Sequence, residues 1–386
     1  MRNKTVLICA WKMPEFDREG GSRRVFHLIE FFQQAGWKVY FAANVARDGQ
    51  RYASLLQQIG VVVYTLQSAW PGGDGSLITM EELLALESFD LAVFVFWDCA
   101  ERYIPIVRSV SPETVVVTDS IDLHFVRQAR RAFTKTEAEP VPGTLDMDYA
   151  EGMTRELNTY AASDAVLTVS QKEADTVNDL LGRTAALPLP QADDIERSEV
   201  PYQNRRGILF IGNFRHPPNV QAVEYLCKEV LPLIPENVLA DHPLYIVGNE
   251  PNDVVMACAR SAKHVRLVGW VPSVQPYLHH ARISVAPLLY GAGTKTKLMQ
   301  SLMAGTPVVS TPIGIEGFDI KDGQHVLVAG SAEQFAQHIQ ELLKNESLWN
   351  RVSKDGADLM RQMHGKEAIF RRFRDVVSQI QDQSRL

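Results

Sequence analysis

A glycine-rich turn with two lysines is the segment of this sequence best suited to chemistry. Residues 291–297 read Gly-Ala-Gly-Thr-Lys-Thr-Lys; they follow an apolar stretch and precede a helical pattern that Gly305 ends. Small residues before a helix let backbone N–H groups converge on an anion, and the helix dipole adds about half a positive charge there. Because Lys295 and Lys297 lie in the first turn of that helix, the pattern predicts a phosphate-binding site.

A single arginine follows another apolar stretch, residues 208–211. Arg215 is the only cation in the loop after this predicted strand. A preorganised cation can stabilise the charge that grows on a departing phosphate. A solvated loop arginine is the alternative interpretation. Asn219, a few residues later, is predicted to be the N-cap of the next helix.

Polar residues also follow the apolar stretch 114–118. Side chains at the carboxyl end of a parallel strand face the ligand crevice of an α/β sheet. Asp119, Asp122 and His124 are therefore candidates for orienting a hydroxyl group of a bound ligand. Asp122 has a second interpretation, as the cap of a helix that begins at Leu123.

Two glycines and two arginines separate the first predicted strand from its helix. Gly20 and Gly21 form a pair of a kind that is common in structural turns and is by itself weak evidence for a binding site. Arg23 and Arg24 are candidates for recognising an anionic acceptor, with exposed first-turn arginines as the alternative. Further basic residues form a helical face that suits an anionic lipid, an anionic acceptor or solvent. They are Arg127, Arg130, Arg131 and Lys135.

No metal site is predicted. His279, His280 and the four cysteines lack the spacing of metal ligands. Asp146 and Asp148 form an Asp-x-Asp pair, a pattern that binds a metal ion in some other proteins. Because a helical pattern begins at Asp148, helix capping is the preferred interpretation of that pair.

The elements that position these residues alternate between short apolar runs and helical patterns, which is typical of parallel sheets with crossover helices. The strands are predicted at 6–10, 39–42, 61–66, 91–96, 114–118, 165–169, 208–211, 244–247, 265–268, 283–286, 307–310 and 325–328. Helices of the second half are predicted at 220–230, 295–304, 332–344 and 348–363. The nearly pure apolar strands indicate burial on both faces.

A proline-rich and acidic stretch divides the pattern. Pro188, Pro190 and Pro201 lie there among acidic residues, which suits neither helix nor strand. We therefore predict a domain at 1–187, a linker at 188–206 and a second domain at 207–365. The last segment, 366–386, carries an amphipathic helix.

Several of these segments resemble glycosyltransferase family 4, retaining sugar transferases with the GT-B fold. The resemblance lies in residues 161–170, 207–219, 268–272 and 281–287, together with the glycine-rich turn and its helix. It implies an α/β protein with two Rossmann-like parallel-sheet domains facing a central cleft. It also implies that the last helix crosses back to the first domain.

The resemblance assigns roles to individual residues. Catalysis would involve Arg215, Lys295, Asp119, Asp122 and His124. Donor-binding residues would be Gly212, Val271, Gly293, Thr294, Lys297, Gln300 and Glu316. The acceptor would meet Gly20, Gly21 and Arg23. The family usually has two glutamates where this chain has Ala292 and Gln300; Gln300 can still hydrogen-bond a ribose hydroxyl, whereas the Ala292 side chain cannot contact a sugar hydroxyl.

The implied activity is transfer of a sugar from a nucleotide-diphosphate-sugar donor to a glycan, lipid-linked or small-molecule acceptor. It would proceed with retention and without a metal or other cofactor, the leaving phosphate oxygen helping to deprotonate the acceptor hydroxyl. Two alternatives stay open: a nucleotide-sugar epimerase of the same fold, and a non-catalytic protein that binds nucleotide sugars or partner transferases.

Bulk composition limits the remaining classes. The chain has 386 residues, of which 46% are hydrophobic, and a formal net charge of -7, which argues against a general nucleic-acid binder. No apolar stretch approaches the roughly 18 to 20 residues needed to span a bilayer. With no signal-peptide core and four widely spaced cysteines, we expect a cytoplasmic protein, and peripheral contact with the inner membrane face stays open.

Overall fold

The computed structural model describes residues 4–45, 50–66, 77–133, 147–291 and 295–383. This part of the chain forms two compact units. The first unit contains the described residues up to Ala132, those from 147 to Pro190, and those from Ile369 onward. The second unit contains the described residues of Gln191–Ala368. The predicted linker, 188–206, includes the division at Pro190, and much of it is ordered in the second unit: Asp193 and Arg205 are both buried.

The first unit is a seven-stranded parallel sheet with helical crossovers. Its elements are β1 (Thr5–Lys12), α1 (Gly20–Gln34), β2 (Lys38–Val45), α2 (Gln50–Gln58), β3 (Val62–Thr65), α3 (Met80–Leu86), β4 (Leu91–Val95), α4 (Trp97–Val110), β5 (Val115–Asp119), α5 (His124–Phe133), α6 (Met147–Ala162), β6 (Ala165–Thr168), α7 (Gln171–Leu181) and β7 (Ala186–Pro188). The strand order is β3-β2-β1-β4-β5-β6-β7, so the winding direction reverses between β1 and β4.

The second unit is a six-stranded parallel sheet built in the same way. Its elements are β8 (Ile208–Ile211), α8 (Pro217–Tyr225), α9 (Glu236–Asp241), β9 (Leu244–Val247), α10 (Asp253–Ser261), β10 (Val265–Gly269), α11 (Gln275–His280), β11 (Ile283–Ala286), α12 (Thr296–Met303), β12 (Val308–Ser310), β13 (Leu327–Val328), α13 (Ala332–Lys344) and α14 (Glu346–His364). The order is β10-β9-β8-β11-β12-β13, with the reversal between β8 and β11.

The predicted fold class of two Rossmann-like parallel sheets is confirmed. Strand β4 and residues 6–11 of β1 are apolar because helices cover both faces of the sheet. The strands predicted at 208–211, 244–247 and 283–286 agree with the structure at both ends. The strand predicted at 325–328 contains only Leu327–Val328, since the buried His325 ring instead accepts a hydrogen bond from the Lys321 N–H at 3.0 Å.

Some helices differ from the prediction. The pattern at 220–230 is an α-helix, α8, followed by a π-helical turn over Leu226–Val230. Helices α9, α10 and α11 were not predicted, because each has at most nine residues, too few for a helical apolar pattern to repeat clearly.

The final helix, α15 (Lys366–Gln383), packs into the first unit from Ile369 onward. The Phe373 ring lies edge-on to Phe32 at a centroid distance of 4.7 Å and 5.6 Å from Phe31. Arg372 Nε donates to the Pro188 carbonyl at 2.7 Å. The apolar stripe of this helix is thus part of the first unit's core.

Of the helices in the described ranges, none is long and apolar enough to cross a membrane.

Candidate functional site

The second unit places its chemistry-bearing residues at the carboxyl end of its sheet, the end where the parallel strands terminate. The loop after β8 leads through Gly212 and Asn213 to α8, and the loop after β11 leads to α12. Because the winding reverses between β8 and β11, the two loops border the crevice where α/β sheets bind ligands. A hydrogen bond from Lys297 on α12 to Asn219 on α8 joins them.

Lys297 is held between these two helices. Its Nζ donates to Asn219 Oδ1 and lies 4.8 Å from the centre of the Phe210 ring. Asn219 Nδ2 in turn donates to the Asn213 carbonyl at 2.7 Å. The prediction that Asn219 is the N-cap of the helix is wrong: His216 is the capping residue and Asn219 lies inside α8, where its amide fixes the lysine.

The environment of Lys297 weakens its positive charge. Burial and, to a smaller extent, the nearby charge of Lys295 together lower the pKa of its ammonium to about 7. An anion close to Nζ would favour the charged form and raise that pKa. Lys295 itself is buried, precedes the first turn of α12, and its carbonyl accepts the Leu298 N–H at 2.9 Å. The predicted ligands Gly293 and Thr294, with Ala292, lie outside the described residues.

Gly212 allows close packing at the end of β8. A Cβ atom on Gly212 would lie 2.9 Å from Phe210 Cε1 and 3.1 Å from Asn219 Cβ. A Cβ on Gly248, after β9, would lie 1.6 Å from the Gly212 carbonyl oxygen. Only glycines fit here, and they bring the β8 loop against the helix that holds Lys297.

Arg215 forms an ion pair with Glu250, and both side chains are about half exposed. Glu250 follows β9 and has a positive φ of 54°, uncommon for a residue with a side chain. An anion bound at the β8 loop would therefore compete with Glu250 for the Arg215 guanidinium.

Three more predicted donor residues lie on other elements of the second unit. Gln300 is buried on α12, and its Nε2 donates to Asp193 Oδ2 at 2.8 Å. Val271 is partly exposed shortly after β10, an outer strand of the sheet. Glu316 is partly buried in the turns after β12, where its N–H donates to the Ile313 carbonyl at 3.4 Å.

In the first unit, Asp119 lies at the end of β5 in a buried ion pair. Arg24 Nε donates to both carboxylate oxygens at 3.0 and 2.9 Å, and Nη2 donates to Oδ1 at 2.8 Å. Arg24 Nη1 donates to the Leu189 carbonyl at 2.7 Å. Asp119 is 0% exposed and Arg24 is 3% exposed, so the interpretation of Arg24 as an exposed arginine is wrong. The pair joins α1 to β5 and leaves neither oxygen of Asp119 facing solvent.

Asp122 and His124 form a second polar group at the same end of the sheet. His124 Nδ1 accepts from Trp97 Nε1 at 3.0 Å, and Nε2 lies 3.2 Å from Asp122 Oδ1. Asp122 also pairs with Arg127. Burial opposes ionisation of Asp122, but His124 and Arg127 outweigh it and lower the pKa of this carboxyl. Because both ring nitrogens of His124 are engaged, the ring is held as a hydrogen-bonding group.

Glu156 caps α5, a role the sequence did not suggest. Its two oxygens accept the His124 and Phe125 N–H groups, each at 2.9 Å, and Oε1 also accepts from the Tyr160 hydroxyl at 2.8 Å. Burial raises the pKa of this carboxyl against those hydrogen bonds. Glu156 therefore takes the amides that the alternative interpretation had assigned to Asp122.

Strained backbone lies beside these groups. Phe96 after β4 and Ile121 after β5 have positive φ values of 70° and 58°. Such residues cost of the order of 1–3 kcal/mol each and are concentrated at functional sites. Gly20 and Gly21 form the first turn of α1, and a Cβ on Gly21 would lie 3.6 Å from the Ile121 side chain. Arg23 is partly buried in the same turn.

The predicted basic face of α5 is only partly described. Arg127 is occupied by Asp122, and Arg130 lies on the same helix. The side chain of Arg131 and the whole of Lys135 lie outside the described part of the structure, as does Asp146. Within the described ranges, no group of three or more His, Cys, Asp or Glu residues is placed to hold a metal ion.

Most of the second unit matches a protein-family model. Residues 205–345 match the family model described as "Glycosyl transferases group 1". A Klebsiella pneumoniae protein, "Uncharacterized 44.6 kDa protein in cps region", is 26% identical over 215 residues, 54% of each chain. The phosphatidyl-myo-inositol mannosyltransferase of Mycobacterium leprae (strain TN) is 27% identical over 160 residues, 40% of this chain and 42% of the relative. The alignments thus span about half, or less, of these relatives.

Solved structures resemble almost the whole chain. Sucrose-phosphate synthase from Thermosynechococcus elongatus aligns with a TM-score of 0.73 at 15% identity, covering 98% of this chain and 99% of that one. Anabaena Alr3699/HepE in complex with UDP and glucose aligns with a TM-score of 0.71 at 12% identity, covering 98% and 100%. The chain therefore has the GT-B fold of two Rossmann-like domains, and its residues 205–345 carry the sequence pattern of the group 1 glycosyl transferases.

Proposed function

We propose that this protein is a glycosyltransferase that moves a sugar from a nucleotide-diphosphate-sugar donor to an acceptor hydroxyl. The proposal rests above all on Lys297, a lysine of low pKa at the start of α12, beside the reversal of the second sheet. A diphosphate there would lie at the positive end of a helix and recover the charge of that ammonium. The group 1 family match over the same unit supports this assignment.

In this mechanism the second unit stabilises the leaving group. As the bond between the anomeric carbon and the diphosphate oxygen breaks, negative charge grows on that oxygen, and Lys295 and Lys297 lower its energy. Arg215 would join them after exchanging Glu250 for the diphosphate. The acceptor oxygen forms its bond to the anomeric carbon on the face from which the diphosphate leaves, so the configuration is retained. We assign the acceptor proton to the leaving phosphate oxygen, and this step uses no metal or other cofactor.

The first unit would provide the acceptor side. Trp97 and Asp122 engage both ring nitrogens of His124, so we assign His124 to fixing the loop that would meet the acceptor hydroxyl and not to removing its proton. Gly20, Gly21 and Arg23 would contact the acceptor. The solved relative that holds UDP and glucose, and the curated mannosyltransferase, support a nucleotide sugar as donor and a glycan, lipid-linked or small-molecule acceptor.

A donor screen tests the proposal. The purified protein is incubated with UDP-glucose, GDP-mannose and related donors, with and without a mixture of glycan and lipid acceptors, and the products are separated by mass and by sugar isomer. We expect nucleoside diphosphate release that depends on the acceptor, together with a glycosylated product. Isomerised donor sugar formed without an acceptor would instead identify an epimerase. Donor binding without any turnover would identify a non-catalytic binder.

A further inference from the structure

The first residues of the second unit are tied directly to the helix that carries the two lysines. Asp193 is 1% exposed, and its carboxylate accepts the Gln300 side-chain amide at 2.8 Å and the Asp194 N–H at 2.8 Å. Two residues earlier, Gln191 Oε1 accepts from the Thr296 hydroxyl at 3.3 Å. Residues 191–193 therefore hold α12 at two points, one in its first turn and one in its second.

The same segment is anchored on its other side. The Asp193 N–H donates to the His364 carbonyl at 3.0 Å, and His364 Nδ1 donates to the Gln191 carbonyl at 2.9 Å. His364 is the last residue of α14 and is buried. Asp193 is thus fixed in position by backbone hydrogen bonds and can set the orientation of a side chain on α12.

The ionised carboxylate determines which end of the Gln300 amide is available. An ionised aspartate can only accept hydrogen bonds, so Gln300 has to direct its NH₂ group toward Asp193. The carbonyl oxygen, Oε1, is then the end of the amide left to accept from another group. Gln300 follows Lys297 by three residues, a spacing that places the two side chains on one face of the helix.

We propose that Asp193 is a specificity-determining residue that acts through Gln300, an inference that rests on the proposed function. With a diphosphate at Lys297, the neighbouring part of the donor along α12 is a ring that bears hydroxyl groups, either the ribose or the transferred sugar. Gln300 Oε1 accepts a hydrogen bond from one of those hydroxyls. Asp193 holds the amide in the orientation that this hydrogen bond requires.

The pair also explains why position 300 is an amide. A glutamate at this position would bring a second carboxylate within hydrogen-bonding distance of Asp193, and two such groups cannot both ionise readily. The negative charge resides on Asp193. The hydrogen bond between the two side chains orients Gln300, whose neutral carbonyl oxygen can then accept from the donor. Exchange of the two functional groups should therefore preserve binding, whereas either single change should not.

The experiment compares Asp193→Asn, Gln300→Glu and the Asp193→Asn/Gln300→Glu double variant with the wild type. Kd is measured for UDP, 2′-deoxy-UDP and UDP-glucose, or for the guanosine counterparts if the donor screen selects them, together with donor KM and kcat. In Asp193→Asn the introduced NH₂ group faces Gln300. The Gln300 carbonyl oxygen must therefore accept from that group, and the Gln300 NH₂ group turns toward the donor. We expect donor KM to rise about tenfold, the value of one hydrogen bond, with kcat changed less than about twofold.

The double variant provides the decisive result. Its introduced glutamate would accept from the introduced asparagine amide and present its second oxygen to the donor. Donor KM should therefore return to within about threefold of the wild type, while Gln300→Glu alone stays weakened about tenfold. Weaker binding of UDP itself by Asp193→Asn, absent with 2′-deoxy-UDP, would identify the ribose 2′-hydroxyl as the partner. Weakening confined to UDP-glucose would identify the transferred sugar.

A matched control uses Asp322→Asn, because Asp322 also accepts a backbone N–H, that of Val328, at 2.8 Å. It should leave donor KM unchanged. Melting temperatures are measured throughout, and if a single variant unfolds, the double variant, which keeps the net charge, decides the question. A folded double variant no better than its parent singles, or an Asp193→Asn variant with wild-type KM and Kd, would overturn the inference. If the wild type binds no nucleotide sugar, the proposed function itself fails.

Discussion

The two sheets reverse their winding in the same way, but the charged side chains at their carboxyl ends have different partners. In both units the winding reverses in the middle of a parallel sheet, and polar residues follow the strands there. In the first unit three cations at that end have carboxylate partners: Arg24 with Asp119, Arg127 with Asp122, and Lys12 with Glu19. In the second unit Arg215 also pairs with a carboxylate, that of Glu250, but Lys297 contacts an amide oxygen and an aromatic ring.

The difference indicates that the two units have different roles in ligand binding. Ion pairs in the first unit satisfy their own charges and fix the residues that follow β5, so this end is ordered before any ligand binds. The second unit keeps a lysine of low pKa that gains its full charge when an anion arrives. The groups of the first unit are thus fixed before a ligand binds. The charge of Lys297 in the second unit is complete only when an anion is bound.

The largest effect should come from breaking the buried pair of the first unit. Asp119→Asn leaves Arg24 buried without a counter-charge, so we expect the free energy of unfolding to fall by about 3–5 kcal/mol. Chemical denaturation followed by tryptophan fluorescence measures this change. A double replacement, Arg24→Met with Asp119→Leu, removes both charges and should recover most of the loss. A fully stable Asp119→Asn variant would contradict the structural role of this pair.

Next in size is the loss of the ammonium in the second unit. Lys297→Met removes a cation from the leaving-group site, so we expect kcat/KM for sugar transfer to fall about 100-fold. The melting temperature should stay the same or rise, since a charge that is costly to bury has been removed. Steady-state kinetics and calorimetric scans measure the two quantities.

Lys354→Met, an exposed lysine on α14, is the matched control and should retain wild-type turnover. The comparison between the units fails if Lys297→Met transfers sugar at the normal rate, or if it loses stability as severely as Asp119→Asn.

The sequence was most informative where one local pattern determines one element. Strands β8, β9 and β11 were predicted to the residue because short apolar runs between polar turns have one way to be buried on both faces. Helix α12, predicted at 295–304 and observed at Thr296–Met303, was found for a similar reason, since its helical pattern is continuous in the chain.

Contacts between distant residues could not be read in this way. Arg24 and Asp119 are 95 positions apart, and Gln300 and Asp193 are 107 apart, so only the folded sheet brings them together. Glu156 lies within a helical pattern, and its position in the sequence does not indicate that its oxygens accept the first N–H groups of α5. The surrounding structure imposes the positive φ angles of Phe96 and Ile121, and these residue types do not predict such angles.

The smallest effect is the uptake of a proton by Lys297 when a diphosphate binds. It is also the most direct test of the site in the second unit. In the free protein the pKa of Lys297 is about 7, so its amine is mostly neutral at pH 8. A bound diphosphate raises that pKa, and binding must therefore take up a proton at pH 8 and very little at pH 6. By the same linkage, affinity should fall as the pH rises from about 7 to the higher pKa of the complex.

Isothermal titration of the nucleoside diphosphate at pH 8, in two buffers of different ionisation enthalpy, counts the protons exchanged on binding. The account predicts uptake of close to one proton by the wild type and none by Lys297→Met. Binding without proton uptake, or the same uptake in both proteins, would show that the diphosphate does not lie against Lys297.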